Sequence, residues 1–120
     1  MKLREIKEIL EAEVIIGEDE LDKEINVAGA ADLMSDALSL LGAGGALLLT
    51  GLVTPQVIRT AEMLDLSAIV FVRGKIPPQE TIELAKKVKI PLLRTRYPMY
   101  EACGKLYSAG LKGRGVDGLL

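Results

Sequence analysis

Ala46-Leu47-Leu48-Leu49-Thr50, Ser67-Ala68-Ile69-Val70-Phe71-Val72 and Ile90-Pro91-Leu92-Leu93-Arg94-Thr95 are continuous apolar runs of strand length, and their reading decides the fold. A strand that is apolar on both sides belongs inside a parallel sheet covered by helices. Each run is followed by a helix signal, near Thr54-Pro55, near Pro77-Pro78 and near Pro98. Proline is tolerated there because the first helical turn needs no backbone donor. Val57, Ile58, Ala61 and Leu64 mark the buried stripe of the first of these helices, and Ile82, Ala85 and Val88 that of the second. The pattern predicts a βαβαβ C-terminal half in an α/β three-layer sandwich with a largely parallel, doubly covered sheet.

Upstream the signals are shorter. Leu3, Ile6, Ile9 and Leu10 fall on one face of an amphipathic helix. Glu13-Val14-Ile15-Ile16 reads as a strand ended by Gly17, and an acidic stretch from Glu18 to Glu24 leads to a second strand over Ile25 to Ala28. Asp32 is the expected N-cap of a helix that turns Leu33, Ala37, Leu40 and Leu41 inward, with Gly42 in the left-handed closing position. Residues 1–111 are read as one domain and 112–120 as a flexible C-terminal tail, because the sequence beyond Ala109 has little periodic apolar content.

At 120 residues the chain has the size of a single domain. Hydrophobic residues make up 49% of it and aromatic residues only 3%, so the core must be aliphatic. The formal net charge is −2, from 15 basic and 17 acidic side chains mixed along the sequence. That mixture provides no bulk attraction to nucleic acid or to acidic membranes, and any anion site must be local. A lone cysteine forms no internal disulfide, and with no histidine there is no Cys/His set for zinc. The N-terminal residues alternate charge with spaced apolar positions, so neither a signal peptide nor a membrane span is expected and the cytoplasm is the expected location.

In an open parallel sheet, ligands sit beyond the carboxyl ends of the strands, where loops run into helix N-termini. Here those ends carry Thr50-Gly51-Leu52-Val53-Thr54, Arg73-Gly74-Lys75 and Thr95-Arg96-Tyr97. Hydroxyls from Thr50, Thr54 and Thr95 and cations from Arg73, Lys75 and Arg96 suit an anionic small molecule, and Gly51 and Gly74 let backbone approach it closely. The competing interpretation is that these are ordinary turn, capping and solvated surface residues.

The search for catalytic groups is negative. Without histidine the usual general base and most hydrolytic triads are missing. Cys103 shares a helical face with Met99 and Leu106 and is read as core. Asp32 and Asp36 are four apart on one helix and are assigned to capping and solvent contact, with no metal and no cofactor. Gly113-Arg114-Gly115-Val116-Asp117-Gly118 spells G-x-G-x-x-G but follows no strand and opens no helix, so it lacks the context of a dinucleotide site. Tyr100 and Tyr107, on the same terminal helix as Cys103, suggest a homodimer contact, with packing against the chain's own sheet as the alternative.

Leu33-Met34-Ser35-Asp36, Leu47-Leu48-Leu49-Thr50-Gly51, Pro55-Gln56-Val57-Ile58, Val70-Phe71-Val72-Arg73-Gly74-Lys75, Ile90-Pro91-Leu92-Leu93 and Thr95 together resemble a DRTGG domain. At the level of fold the chain is also similar to the N-terminal domain of HPr kinase/phosphorylase. The resemblance implies an α/β sandwich that acts as a regulatory or assembly module, alone or beside CBS or phosphate acetyltransferase domains. Where relatives tend to have Thr-Gly-Gly at the end of the middle strand, this chain has Val72-Arg73-Gly74. After Gly51 it has Leu52 where an acidic residue often stands. The leading reading is therefore a non-catalytic sensor of a phosphate-bearing or nucleotide-like anion. The alternative is an interaction or oligomerisation module that docks to a partner enzyme.

Overall fold

The three apolar runs form the middle of one five-stranded sheet. In a computed structural model, which describes residues 1–42 and 44–115, the strands are β1 (Glu13–Ile16), β2 (Val27–Ala30), β3 (Ala46–Thr50), β4 (Ala68–Phe71) and β5 (Leu92–Arg94). Their order in the sheet is β1-β5-β4-β3-β2. Neighbours from β2 to β5 are parallel, with Leu48 beside Ile69 and Val70 beside Leu93, and only the edge strand β1 runs antiparallel, against β5.

Alternate side chains of the central strands enter two separate cores, as the two-residue period of a strand requires. Leu47, Leu49, Val70, Val72 and Leu93 pack with α1 (Leu3–Ile9) and α5 (Met99–Ser108) on one face. Ala46, Leu48, Ile69, Phe71 and Leu92 pack with α2 (Met34–Leu40), α3 (Pro55–Met63) and α4 (Gln79–Val88) on the other. The expected three-layer α/β sandwich with its βαβαβ half is thus the observed architecture.

The short upstream elements depart from the expectation in informative ways. The second strand is Val27–Ala30, two residues later than read, because Ile25 is wholly buried as a core plug under α1. Asp32 does not cap α2; Leu33 holds that position with no side-chain cap hydrogen bond. The inward face of α2 is Met34, Ala37 and Leu41, whereas Leu33 and Leu40 are exposed. Gly44 and Gly45, at φ 76° and 73°, take the left-handed conformations expected of Gly42. Pro55 sits inside the first turn of α3, while Pro78 and Pro98 are the N-caps of α4 and α5. On α4 the fully buried positions are Thr81 and Ala85, with Ile82 half-buried. The Thr81 hydroxyl donates to the Val53 carbonyl at 2.7 Å, which joins the start of α4 to the β3–α3 loop.

The segment after α5 is tied down at its beginning. Leu111 is buried, Ala28 N–H donates to the Lys112 carbonyl at 3.0 Å, and Arg114 reaches the Gly44 carbonyl at 3.2 Å. Lys112 and Gly113 therefore lie beside the edge strand β2, and residues 116–120 of the expected tail lie outside the described residues.

Thr95 is the main polar fastening between the N-terminal layer and the sheet. Its buried hydroxyl donates to the Leu10 carbonyl at 2.6 Å and accepts Tyr97 N–H at 3.3 Å. A Thr95→Val variant keeps the volume but leaves a buried carbonyl and an amide without their partner. It is expected to lower unfolding free energy by about 2 kcal/mol in denaturant titrations.

Candidate functional site

Because β2, β3, β4 and β5 are parallel, their carboxyl ends share one edge of the sheet, with adjacent strands spaced by roughly 4.8 Å. Asp32 follows β2, Gly51 follows β3 and Arg73 follows β4 by a single intervening residue. Asp32 and Arg73 thus reach toward each other from the two strands that flank β3, and they meet over Gly51.

The contacts are specific. Asp32 Oδ1 accepts the Gly51 N–H at 2.6 Å and the Thr50 hydroxyl at 3.4 Å, and Asp32 Oδ2 lies 3.8 Å from Arg73 Nη2. The Thr50 oxygen in turn accepts Leu52 N–H at 3.1 Å, which shapes the turn out of β3. A Cβ on residue 51 would lie 2.9 Å from Arg73 Cζ and 3.2 Å from Asp32 Oδ1, and closer still to the guanidinium nitrogen. Gly51 is therefore the residue that lets the carboxylate and the guanidinium close over the backbone.

Arg73 reaches this position through an unusual backbone. Both Arg73 and Gly74 are left-handed, at φ 60° and 66°, and Lys75 N–H donates to the Val72 carbonyl at 3.2 Å across the turn. That conformation costs an L-residue about 1–2 kcal/mol. It is held by Arg73 N–H on the Tyr97 carbonyl at 2.9 Å and Gly74 N–H on the Thr95 carbonyl at 2.8 Å. Arg94 adds a third fastening by donating to the Gly74 carbonyl at 3.2 Å while pairing with Glu13 at 3.1 Å. The β4 exit is thus bonded to the β5 exit through backbone, which leaves the Arg73 side chain as the adjustable part.

Of the residues singled out in the sequence, Thr50, Gly51 and Arg73 come together, and Gly74 supports them. Thr95 lies at the same edge but is committed to structure. Thr54 is the N-cap of α3, exposed and without a side-chain cap bond, and Lys75 and Arg96 are also exposed. Arg96 lines a separate cleft of about 350 Å³ with Leu10, Glu11 and Tyr97, whose hydroxyl donates to the Glu11 carboxylate. Asp32 joins this cluster although the sequence reads it as a cap, because an acidic residue just before a helical pattern has that signature. Its place two residues after β2, alongside Thr50-Gly51 and Arg73-Gly74, is the signal that points to this edge.

Away from this edge, Cys103 is half-buried against the α1–α5 core, and burial pushes its thiol pKa up, which keeps it a poor nucleophile near neutral pH. Ala102 and Leu106 form the buried face of α5, while Tyr100 and Tyr107 are 86% and 58% exposed, Tyr107 at the side of a cleft that reaches Ala28 and Leu49 of the sheet. Lys112 Nζ stands 3.7 Å from the centre of the Tyr107 ring. Gly113 lies beside the Ala28 carbonyl, and the last three residues of the Gly113–Gly118 pattern lie outside the described residues. Among the described residues no helix is long and apolar enough to cross a membrane, and no cluster of His, Cys, Asp or Glu is arranged to hold a metal ion.

A non-glycine residue held in a left-handed turn carries a cost in stability that can be measured. Arg73→Gly removes the backbone strain and gives up only a half-exposed ion pair. Thermal or urea unfolding is expected to show a protein at least as stable as the wild type, by up to about 1 kcal/mol.

The DRTGG domain family matches residues 5–109. Among solved structures, the chain is similar to the CBS and DRTGG domains of the regulatory region of Clostridium perfringens pyrophosphatase, crystallised with the activator diadenosine tetraphosphate. The TM-score is 0.64 at 19% identity, and the match covers 99% of this chain and 52% of that one. The chain thus spans about half of that regulatory region, and the likeness carries the fold. No curated protein matches the sequence. With nearly the whole chain inside the family match and the same fold in a solved relative, the protein belongs to the DRTGG domain family.

Proposed function

We propose that this domain is a non-catalytic regulatory sensor that binds a phosphate-bearing, nucleotide-like anion at the carboxyl ends of β3 and β4. The observation that carries this reading is the convergence of the Gly51 N–H, the Thr50 hydroxyl and the Arg73 guanidinium on a single carboxylate. Backbone amide, hydroxyl and guanidinium together form the donor set that recognises phosphate oxygens. The left-handed Arg73 adds weight, since backbone strain of this kind collects at ligand-binding positions. Thr54, Lys75 and Arg96 extend the rim and would meet the distal parts of a longer ligand. The solved relative, a regulatory region bound to a dinucleoside tetraphosphate, makes nucleotides the first class to try.

A second reading, an interaction or homodimer module acting on a partner enzyme in the cytoplasm, draws on the exposed Tyr100 and Tyr107 of α5. Amphipathic aromatic side chains of this kind are enriched at protein interfaces. The two readings are compatible if residues 1–111 act as one unit that binds a ligand at the sheet edge and a protein through α5.

A thermal-shift screen of the protein against mononucleotides, dinucleoside polyphosphates, acyl phosphates and simple carboxylates tests the sensor reading. A ligand present at about a hundred times its Kd stabilises by about 2.7 kcal/mol, a rise in Tm of roughly 10 °C for a domain of this size. The shift is expected for phosphate-bearing compounds and is expected to be lost in Arg73→Ala. No shift with any compound at millimolar concentration contradicts the sensor reading and leaves the docking module.

A further inference from the structure

Asp32 occupies the place that an incoming anion would need. One carboxylate oxygen takes the Gly51 amide and the Thr50 hydroxyl, and the other faces Arg73. A carboxylate and a phosphate compete for the same donors, and two negative groups do not share them without repulsion. We propose that Asp32 is a tethered internal ligand: a phosphate-type oxyanion enters the cradle only by displacing the Asp32 carboxylate, and that displacement unfastens the start of α2. The inference rests on the sensor reading above and assigns its switch.

Two features make the exchange feasible. The side chains of Asp32 and Arg73 are 50% and 47% exposed, so their contact is solvent-screened and readily replaced. α2 is also an element that a lost tether would loosen. It has seven residues, too few to be stable as an isolated helix, and it lacks a side-chain cap at its start. It runs out through Gly44 and Gly45 in left-handed conformations. Between these ends, Met34, Ala37 and Leu41 anchor it to the core while Leu33, Leu38 and Leu40 remain exposed. A ligand that removes Asp32 from Gly51 would therefore be read out as a change in the order and presentation of these leucines, without movement of the sheet.

The test uses inorganic phosphate as the probe, titrated calorimetrically into the wild type, Asp32→Ala, Asp32→Asn and Arg73→Ala, with hydrogen exchange of residues 34–40 followed in parallel. Asp32→Ala is expected to bind phosphate about tenfold more tightly than the wild type, because the competing charge-assisted bonds are gone. Asp32→Asn is expected to fall between them, and it keeps the test open should the alanine variant fold poorly. Saturating phosphate is expected to speed exchange of the α2 amides in the wild type, as Asp32→Ala does without ligand. Equal or weaker binding by both Asp32 variants, with Arg73→Ala still abolishing it, overturns the switch and leaves the anion site standing. Binding that is absent from every variant, or indifferent to Arg73, overturns both.

Discussion

A strand buried on both faces has no place for a polar side chain except at its exits. In β3 and β4 every residue is buried, with alternate side chains committed to one core or the other. The parallel arrangement then brings all such exits from β2 to β5 to the same edge. Double burial of the central strands is thus the constraint from which the rest follows. It demands helices on both faces, fills them with aliphatic side chains, and concentrates Asp32, Thr50, Gly51, Arg73 and Thr95 along one rim.

Within that rim, the division of labour between β5 and β4 is physical. The β5 exit is rigid, since the buried Thr95 hydroxyl and the Tyr97–Glu11 contact lock it to the N-terminal layer. The β4 exit borrows this rigidity through the two backbone bonds from Arg73 and Gly74. An arginine in a left-handed turn is therefore affordable here, and its guanidinium starts from a fixed base. Preorganisation of this sort reduces the ordering cost of binding a small anion. On the α2 side the Ala31 N–H donates to the Leu49 carbonyl at 3.1 Å, and beyond that point the fastening is the Asp32 carboxylate itself, which is why the movable part lies there.

The central βαβαβ unit was legible in the sequence because its signals are long and redundant. Ala46–Thr50 is an unbroken apolar run, Pro55 marks the start of α3, and Val57, Ile58 and Ala61 are buried as their spacing required. The region from Ile25 to Gly45 was less legible because its elements are short and its apolar residues are ambiguous. Ile25 is strand-like by type yet serves as a core plug, and Leu33 and Leu40 are apolar yet exposed. The candidate site shows the same division. Thr50, Gly51 and Arg73 stand at strand ends that can be read from the sequence, whereas Asp32 meets them only through the neighbour relation of β2 and β3. That relation is a tertiary fact, and a local cap signal outweighed it.

The most direct measurement is an amide correlation spectrum of the isotopically labelled wild-type protein titrated with inorganic phosphate. The Gly51 amide now donates to Asp32, and on displacement it would donate to the incoming anion, so its resonance is expected to move more than any other amide. The Arg73 side chain and the α2 amides should move at the same midpoint. A titration in which Gly51 stays still while resonances near Arg96 or along α5 respond would contradict the account, because the anion would then bind outside the cradle that Asp32 closes.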